Sequence, residues 1–275
     1  MSNYNIHQQR KNLTSYLIIL VIVLVGCTTK YNPQTLTVAG SRSVLPSVQE
    51  LATAYQNENS AVQIDVQGIG SSAGIEAVLS GIAEIGMASR DLKDEEKTKL
   101  ESVTIAYDAI AIIVHPENSV DNLTVEQVRD IFAGKITNWQ DVGGKNLAIV
   151  LVDRDPGSGT KEVFDELLMG EGVTTTDKAL VIDGTGAARA VVGNDIAAIG
   201  YISFASVDET VRPIKLGGVE PSVENVQNGS YFLFRPFVLV YQKGIISNVG
   251  LDFLDFIHSS KGQTIIKNAD LILAK

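Results

Sequence analysis

The run Asp153-Arg154-Asp155-Pro156-Gly157-Ser158-Gly159-Thr160-Lys161 places an arginine, two hydroxyls and side-chain-free glycine amides around one turn. Such a set can hold a tetrahedral oxyanion. Glycines let the backbone approach, the hydroxyls and the N–H groups of a starting helix donate hydrogen bonds, and Arg154 adds a charged fork. A Pro-Gly turn capping a helix over Lys161–Leu168 explains the run equally well on its own. Other turns strengthen the oxyanion reading. Gly40-Ser41-Arg42-Ser43-Val44, Gly68-Ile69-Gly70-Ser71-Ser72-Ala73-Gly74 and Ser89-Arg90-Asp91 each follow a β-rich run, and ligands of open α/β sheets bind outside the carboxyl ends of the strands. A serine there is ordinarily a helix cap; the same device at successive strand ends, together with Arg154, Ser158 and Thr160, is harder to explain as unrelated caps.

Competing chemistries find less support. Gly68-x-Gly70-x-x-Ala73, with Asp91 downstream, matches a dinucleotide fingerprint, but it follows the second strand and not the first. Gly159-Thr160-Lys161 lacks the Gly-Lys-Ser/Thr order of a phosphate-binding P-loop. His7, His115 and His258 are scattered, so neither a Ser-His-acid set nor a metal cluster emerges. Asp94-Glu95-Glu96-Lys97 reads as a solvated face, and Trp139 and Tyr201 as packing anchors.

The elements that must position these turns alternate. Leu36–Ala39, Val62–Gln67 and Glu84–Ala88 read as strands, with helices over Val44–Asn57 and from Gly74 to Leu79. This is an α/β rhythm. Two strands, one ending in Ala109–Val114 and one over Pro236–Tyr241, are apolar enough to be buried on both faces. They suggest two lobes, with residues 36–114 and 234–275 in the first and 115–233 in the second, the chain crossing near 115 and returning near 233. Between the crossings the pattern predicts a helix over Thr124–Phe132, strands over Ala148–Val152 and Ala197–Ser203, and the helix after the oxyanion turn. A last helix, Gly250–Ser259, rejoins the first lobe.

Arg10 and Lys11 precede the apolar run Leu17–Val25, which ends at Gly26-Cys27. This has the form of a secretory leader, residues 1–27, closed by a lipobox whose cysteine carries lipid, with 28–35 as a tether. An uncleaved anchor helix is the alternative, though the run is short of about 20 residues. Both place the remainder outside the cytoplasm. Cys27 is the only cysteine of 275 residues, so the fold rests on its apolar core and not on an intrachain disulfide. A net charge of −10 argues against nucleic acid as a partner, and means that an anion is bound by local dipoles and one or two buried arginines.

Taken in order, Ala39-Gly-Ser-Arg-Ser-Val44, Gly68-Ile-Gly-Ser-Ser-Ala-Gly74, Ile85-Gly-Met-Ala-Ser-Arg90, Ile131-Phe-Ala-Gly-Lys-Ile-Thr-Asn-Trp139, Arg154-x-x-Gly-Ser-Gly-Thr160 and Ile199-Gly-Tyr201 resemble the phosphate-binding proteins of bacterial phosphate ABC transporters, from Leu36 to the C-terminus. The resemblance implies a two-lobed periplasmic-binding-protein fold of type II with two crossover hinge strands. It implies closure over inorganic phosphate, delivery to ABC permease subunits, a membrane attachment through the lipid anchor, no cofactor and no catalytic residue. An exported phosphate-processing enzyme or sensing module on the same fold is the alternative. By matching motif, Ser43, the Val44 amide, Ser71, Arg154, Ser158, the Gly159 amide and Thr160 are expected to donate to phosphate, with Ser89 and Arg90 flanking the pocket. Two departures stand out. Arg42 occupies a position that is commonly threonine, and Arg90 falls where some members place an aspartate that accepts the ligand's proton. Asp91, and after it Asp155, are the expected substitutes for that acceptor.

Overall fold

The computed structural model describes residues 33–274. The expected leader and Cys27 lie outside the described residues. The first half of the chain runs β1 (Gln34–Gly40), α1 (Leu45–Glu58), β2 (Val62–Gly68), α2 (Ser71–Leu79), β3 (Ile85–Ala88), α3 (Asp94–Lys97), β4 (Leu100–Val114), β5 (Asn122–Leu123) and α4 (Val125–Phe132). It continues through β6 (Val150–Arg154), α5 (Gly159–Phe164), β7 (Leu180–Ile182), α6 (Thr185–Asn194), β8 (Ala198–Ser203), β9 (Arg212–Pro213) and β10 (Lys215–Leu216). The last elements are α7 (Val223–Gln227), β11 (Phe234–Gln242), α8 (Asn248–His258), α9 (Ser260–Asn268) and β12 (Ile272–Leu273).

One sheet has the order β2-β1-β3-β11-β4-β8-β6-β7, with β9 and β12 also joined to β4. The fold turns on β4. Residues up to Ala109 pair antiparallel with β11, and from Ile110 the strand pairs with β8 instead. The Ile110 amide donates to the Leu233 carbonyl just ahead of β11, so the chain enters β11 beside the point where β4 changes partners.

Alternation along these strands explains why each half is sandwiched. Ile110, Ile112 and Val114 face a core with α4, Trp139, Phe164 and Tyr201, whereas Ala111 and Ile113 face Val152, Ala188 and Val192. On β11, Phe237 and Leu239 pack with α1, α8 and α9, while Val238 and Val240 meet α2 on the other face. A period of two delivers opposite faces, and an apolar run therefore needs cover on both. Trp139 and Tyr201 are packing anchors. The Trp139 indole N–H donates to the Ala197 carbonyl at 2.9 Å, and the Tyr201 ring stacks on Phe164 at 3.9 Å, which seats α5 against β8.

Several boundaries differ from the sequence expectation. The helix expected over Lys161–Leu168 begins at Gly159, narrows to Phe164 and continues as a π turn, Asp165–Met169, that buries both Leu168 and Met169. A second helix, α9, follows α8 because Ser259 caps it through the Gly262 amide. The short β7 and the helix α6 carry little periodic signal, and the sequence reading passed over them.

Candidate functional site

Parallel strands in register bring their carboxyl ends to one level, and the turns that follow β1, β2, β3, β6 and β7 converge there. In the turn after β1, Ser41 and Ser43 are both buried, and the Ser43 amide donates to the Ser41 hydroxyl. Val44, also buried, precedes α1 as its N-cap. After β2, Gly70 has φ 97 and ψ 153, a conformation open to glycine, and it sets Ser71 at the first position of α2. Ser89 ends β3. After β6, Ser158 caps α5, with Gly159 and Thr160 behind it.

The hydroxyls form two chains. Ser41 Oγ donates to Ser89 Oγ at 3.0 Å, and Ser89 Oγ lies 3.3 Å from Ser71 Oγ. Ser43 Oγ lies 3.1 Å from Thr160 Oγ1 and 2.9 Å from Thr185 Oγ1. Gly159 sits between the chains: a Cβ there would fall 2.6 Å from Ser71 Oγ and 2.9 Å from Ser89 Oγ, so no larger residue fits without displacing both. Ser43, Ser71, Ser89, Ser158, Gly159, Thr160 and Arg154 are thus brought together by four turns, and a fifth, after β7, adds Thr185. The first amides of a helix have no acceptor within it; here the Leu45 amide of α1 is taken by the Ser41 carbonyl, the Ser72 amide of α2 by the Gly157 carbonyl and the Lys161 amide of α5 by the Ser158 hydroxyl.

Arg154 is the cluster's cation. It is 3% exposed, its Nη1 reaches Thr185 Oγ1 at 3.5 Å, and its Nε has no hydrogen-bond partner in the protein. Burial pulls its pKa down, and Tyr201 and the Asp155 carboxylate only partly offset this. Its backbone is fixed by Asp153, whose Oδ1 accepts from the Arg154 amide and the Tyr201 hydroxyl and whose Oδ2 accepts from Lys161 at 2.7 Å. Asp153 and Lys161 therefore neutralise one another behind the turn and do not enter it.

Arg90 and Asp91 are placed elsewhere. The Arg90 guanidinium makes two bonds to Glu96, at 2.8 and 2.9 Å, and its Nε lies 2.7 Å from Glu162 on α5. Burial pulls its pKa down, but the bonds and charges of Glu96 and Glu162 outweigh burial, and the net effect is upward. Asp91 is exposed and contributes only its carbonyl, to Arg90. Both residues line an open cleft of about 490 Å³ with Lys93, Tyr107, Glu162 and Phe232, away from the hydroxyl cluster. The physical reason is the glutamate pair, which captures the Arg90 guanidinium, while Ser89 beside it stays with the hydroxyls. Asp155 differs: its Oδ1 accepts from the Gly157 amide, and its Oδ2 is buried without a protein partner. Arg42 is partly exposed and bonds to none of the hydroxyls. It crosses to Asp183 at 2.6 Å, passing over Gly70 and Gly184.

The sequence reading missed Thr185 and gave Ser41 no role. The signal was present in Ile182-Asp183-Gly184-Thr185, a β run closed by glycine and a hydroxyl, as in Gly68-Ile69-Gly70-Ser71.

The comparisons with known proteins fit this geometry. The PBP superfamily domain matches residues 28–261. A substrate-binding protein of Clostridium perfringens, assigned to a phosphate ABC transporter and solved with bound phosphate, superposes with a TM-score of 0.86 at 44% identity, covering 88% of this chain and 100% of that one. The chain belongs to this family. An ABC-type phosphate transport receptor of Vibrio cholerae is 34% identical with a TM-score of 0.73, covering 87% of this chain and 100% of its own. The phosphate-binding protein PstS of Bacillus subtilis is 30% identical over 242 residues, 84% of this chain and 77% of that protein. The periplasmic-binding-protein fold expected from the motifs is the fold observed. None of the described helices is long and apolar enough to cross a membrane.

Proposed function

We propose that this protein captures inorganic phosphate outside the cytoplasm by closing two lobes over it, and delivers it to an ABC permease without covalent chemistry. The observation that carries the reading is Arg154, buried among hydroxyls and helix starts with no carboxylate bonded to it and its Nε unpartnered. A buried charge left without a counterion is costly, and an anionic ligand supplies the missing one. Ser43, the Val44 amide, Ser71, Ser158, the Gly159 amide and Thr160 donate to the remaining phosphate oxygens, and Ser89 holds Ser71 in place. Residues 36–114 with 234–275 form one lobe and 115–233 the other. Isothermal titration with inorganic phosphate tests this: saturable binding at one site is expected, and no heat with a correctly folded protein overturns it.

Phosphate near neutral pH keeps an O–H proton that sulfate lacks. Asp155, with its buried free oxygen beside Arg154, is the carboxylate better placed to accept it, and the exposed Asp91 is not. Sulfate should therefore compete poorly with phosphate in the wild type and better in Asp155→Asn, while Asp91→Asn behaves as wild type. Equal discrimination in both variants would remove Asp155 from this role.

Cys27 anchors the mature protein through lipid, a reading supported by its place at the end of the apolar run. The Cys27→Ser protein should be released from membranes and still bind phosphate. Retention at unchanged size would favour an uncleaved helix.

A further inference from the structure

We infer that the turn between β7 and α6 is a further ligand-binding element, with the Thr185 hydroxyl and the first amides of α6 donating to the bound anion. This rests on the oxyanion reading of the cluster and extends it to a segment outside the matched motifs. β6 and β7 are parallel and in register, Arg154 opposite Ile182, so the turns that leave them emerge side by side. Gly184 has φ 96 and ψ 150, within a few degrees of Gly70 at φ 97 and ψ 153, and each places a hydroxyl at the first position of a helix. Gly184-Thr185 is thus the counterpart, in the other half of the sheet, of Gly70-Ser71.

The Thr185 side chain points inward. It is 4% exposed, it lies 2.9 Å from Ser43 Oγ, and Arg154 Nη1 approaches it at 3.5 Å. Ser43 is thereby held between Thr160 and Thr185, and Arg154, whose buried Nε has no partner, lies against the same hydroxyl. A threonine that served only to start its helix would need neither contact. α6 spans ten residues, long enough for its aligned peptide dipoles to favour negative charge at this end.

The experiment is titration of inorganic phosphate into wild type, Thr185→Val, Thr185→Ala and Thr185→Ser, with a ligand-free thermal melt of each. A hydrogen bond to a charged ligand predicts a Kd about ten- to a hundredfold weaker for Thr185→Val, and within about threefold of wild type for Thr185→Ser. Thr185→Ala stands in if the valine variant does not fold. A second arm separates a contact from a positioning effect. In an Arg154→Lys background, Thr185→Val should weaken binding further, and no further loss would mean that Thr185 acts only through the arginine, which overturns the inference. Valine or alanine variants that bind within threefold of wild type overturn it too. If wild type itself takes up no phosphate, the oxyanion reading has failed, a result distinct from either.

Discussion

The ends of β3 and β6 carry two arginines buried to the same degree, each 3% exposed, with opposite surroundings. Arg90 has Glu96 on its own side and Glu162 on α5; Arg154 has hydroxyls and no bonded carboxylate. Their pKa values move in opposite directions for that reason. Burial pulls both down, but the glutamates reverse the effect at Arg90, and nothing comparable does so at Arg154. The difference teaches how to tell a structural arginine from a ligand-binding one. An arginine paired with carboxylates is committed to the fold, whereas one buried without a bonded carboxylate costs stability, and on the function proposed above an anion offsets that cost. A third, Arg235, lies between these cases. It faces a single carboxylate, Asp108 at 3.0 Å, where β4 and β11 cross between the halves of the sheet. Burial pulls its pKa down to about 10, with Asp108 opposing and Arg154 adding to the fall.

The largest effect is expected where the single carboxylate is removed. Asp108→Asn leaves Arg235 charged, fully buried and uncompensated, and should cost about 3–5 kcal/mol of folding stability in denaturant unfolding. A loss under 1 kcal/mol would mean that Arg235 finds another partner. Arg154→Ala should divide stability from binding: phosphate affinity falls by about 2–5 kcal/mol while the ligand-free melting temperature holds or rises. Arg154→Lys falls between, because an ammonium cannot present two parallel N–H groups. Arg90→Ala should do the reverse. It strands Glu96 and Glu162, lowers stability by about 1–3 kcal/mol, and affects affinity less than Arg154→Ala does. If the two alanine variants gave the same pattern, the contrast between the strand ends would collapse.

Much of this was legible in the chain. The α/β rhythm, the two strands buried on both faces and the turns at Ser43, Ser71 and Arg154 rest on local composition and period, which a linear reading can see. What escaped depends on partners distant in sequence. Nothing near Arg90 announces that Glu162 will meet it across the sheet, and Glu96 resembled one of several charges on a solvated helix. Thr185 was missed because β7 is only three residues long and partly exposed, so no strand drew attention to the turn that follows it.

Acid offers a further separation. Burial raises the pKa of Glu96, but bonds from Arg90 and the Lys93 amide, with their charges, more than offset it, so its carboxyl lies below the ordinary range. A carboxylate depressed in the folded state stabilises above its unfolded value, near about 4.3, and that contribution is lost as pH falls through the lower folded value. Unfolding free energy should therefore decline below about pH 4, and Glu96→Gln should flatten that part of the decline. Arg154→Ala should leave the Glu96 part of the decline unchanged, since Arg90 and Lys93, and not Arg154, hold the Glu96 carboxyl down.

The smallest effect concerns Arg42 and Asp183, which join the β1 turn to the β7 turn at 2.6 Å across the mouth of the cluster. Arg42 lies over two glycines, and a Cβ at Gly184 would come within 3.1 Å of its Cδ, so the absence of side chains there makes room for the strap. The pair is partly exposed, at 27% and 60%, and exposed ion pairs contribute roughly 0–1 kcal/mol. Asp183→Asn should accordingly weaken phosphate binding by no more than about fivefold, through a faster off-rate with little change in on-rate. Salt identifies the cause. Screening acts strongly on exposed charges at 0.15 M and above, where the Debye length is about 8 Å or less, so wild type and Asp183→Asn should converge as ionic strength rises. Arg154→Ala should keep its full deficit at every salt concentration, because its charge is buried. Stopped-flow dissociation of phosphate across a salt series measures both. A deficit in Asp183→Asn that persisted at high salt would place Arg42 and Asp183 within the binding site and not at its rim, and the distinction between satisfied and available arginines would have to be redrawn to include Arg42.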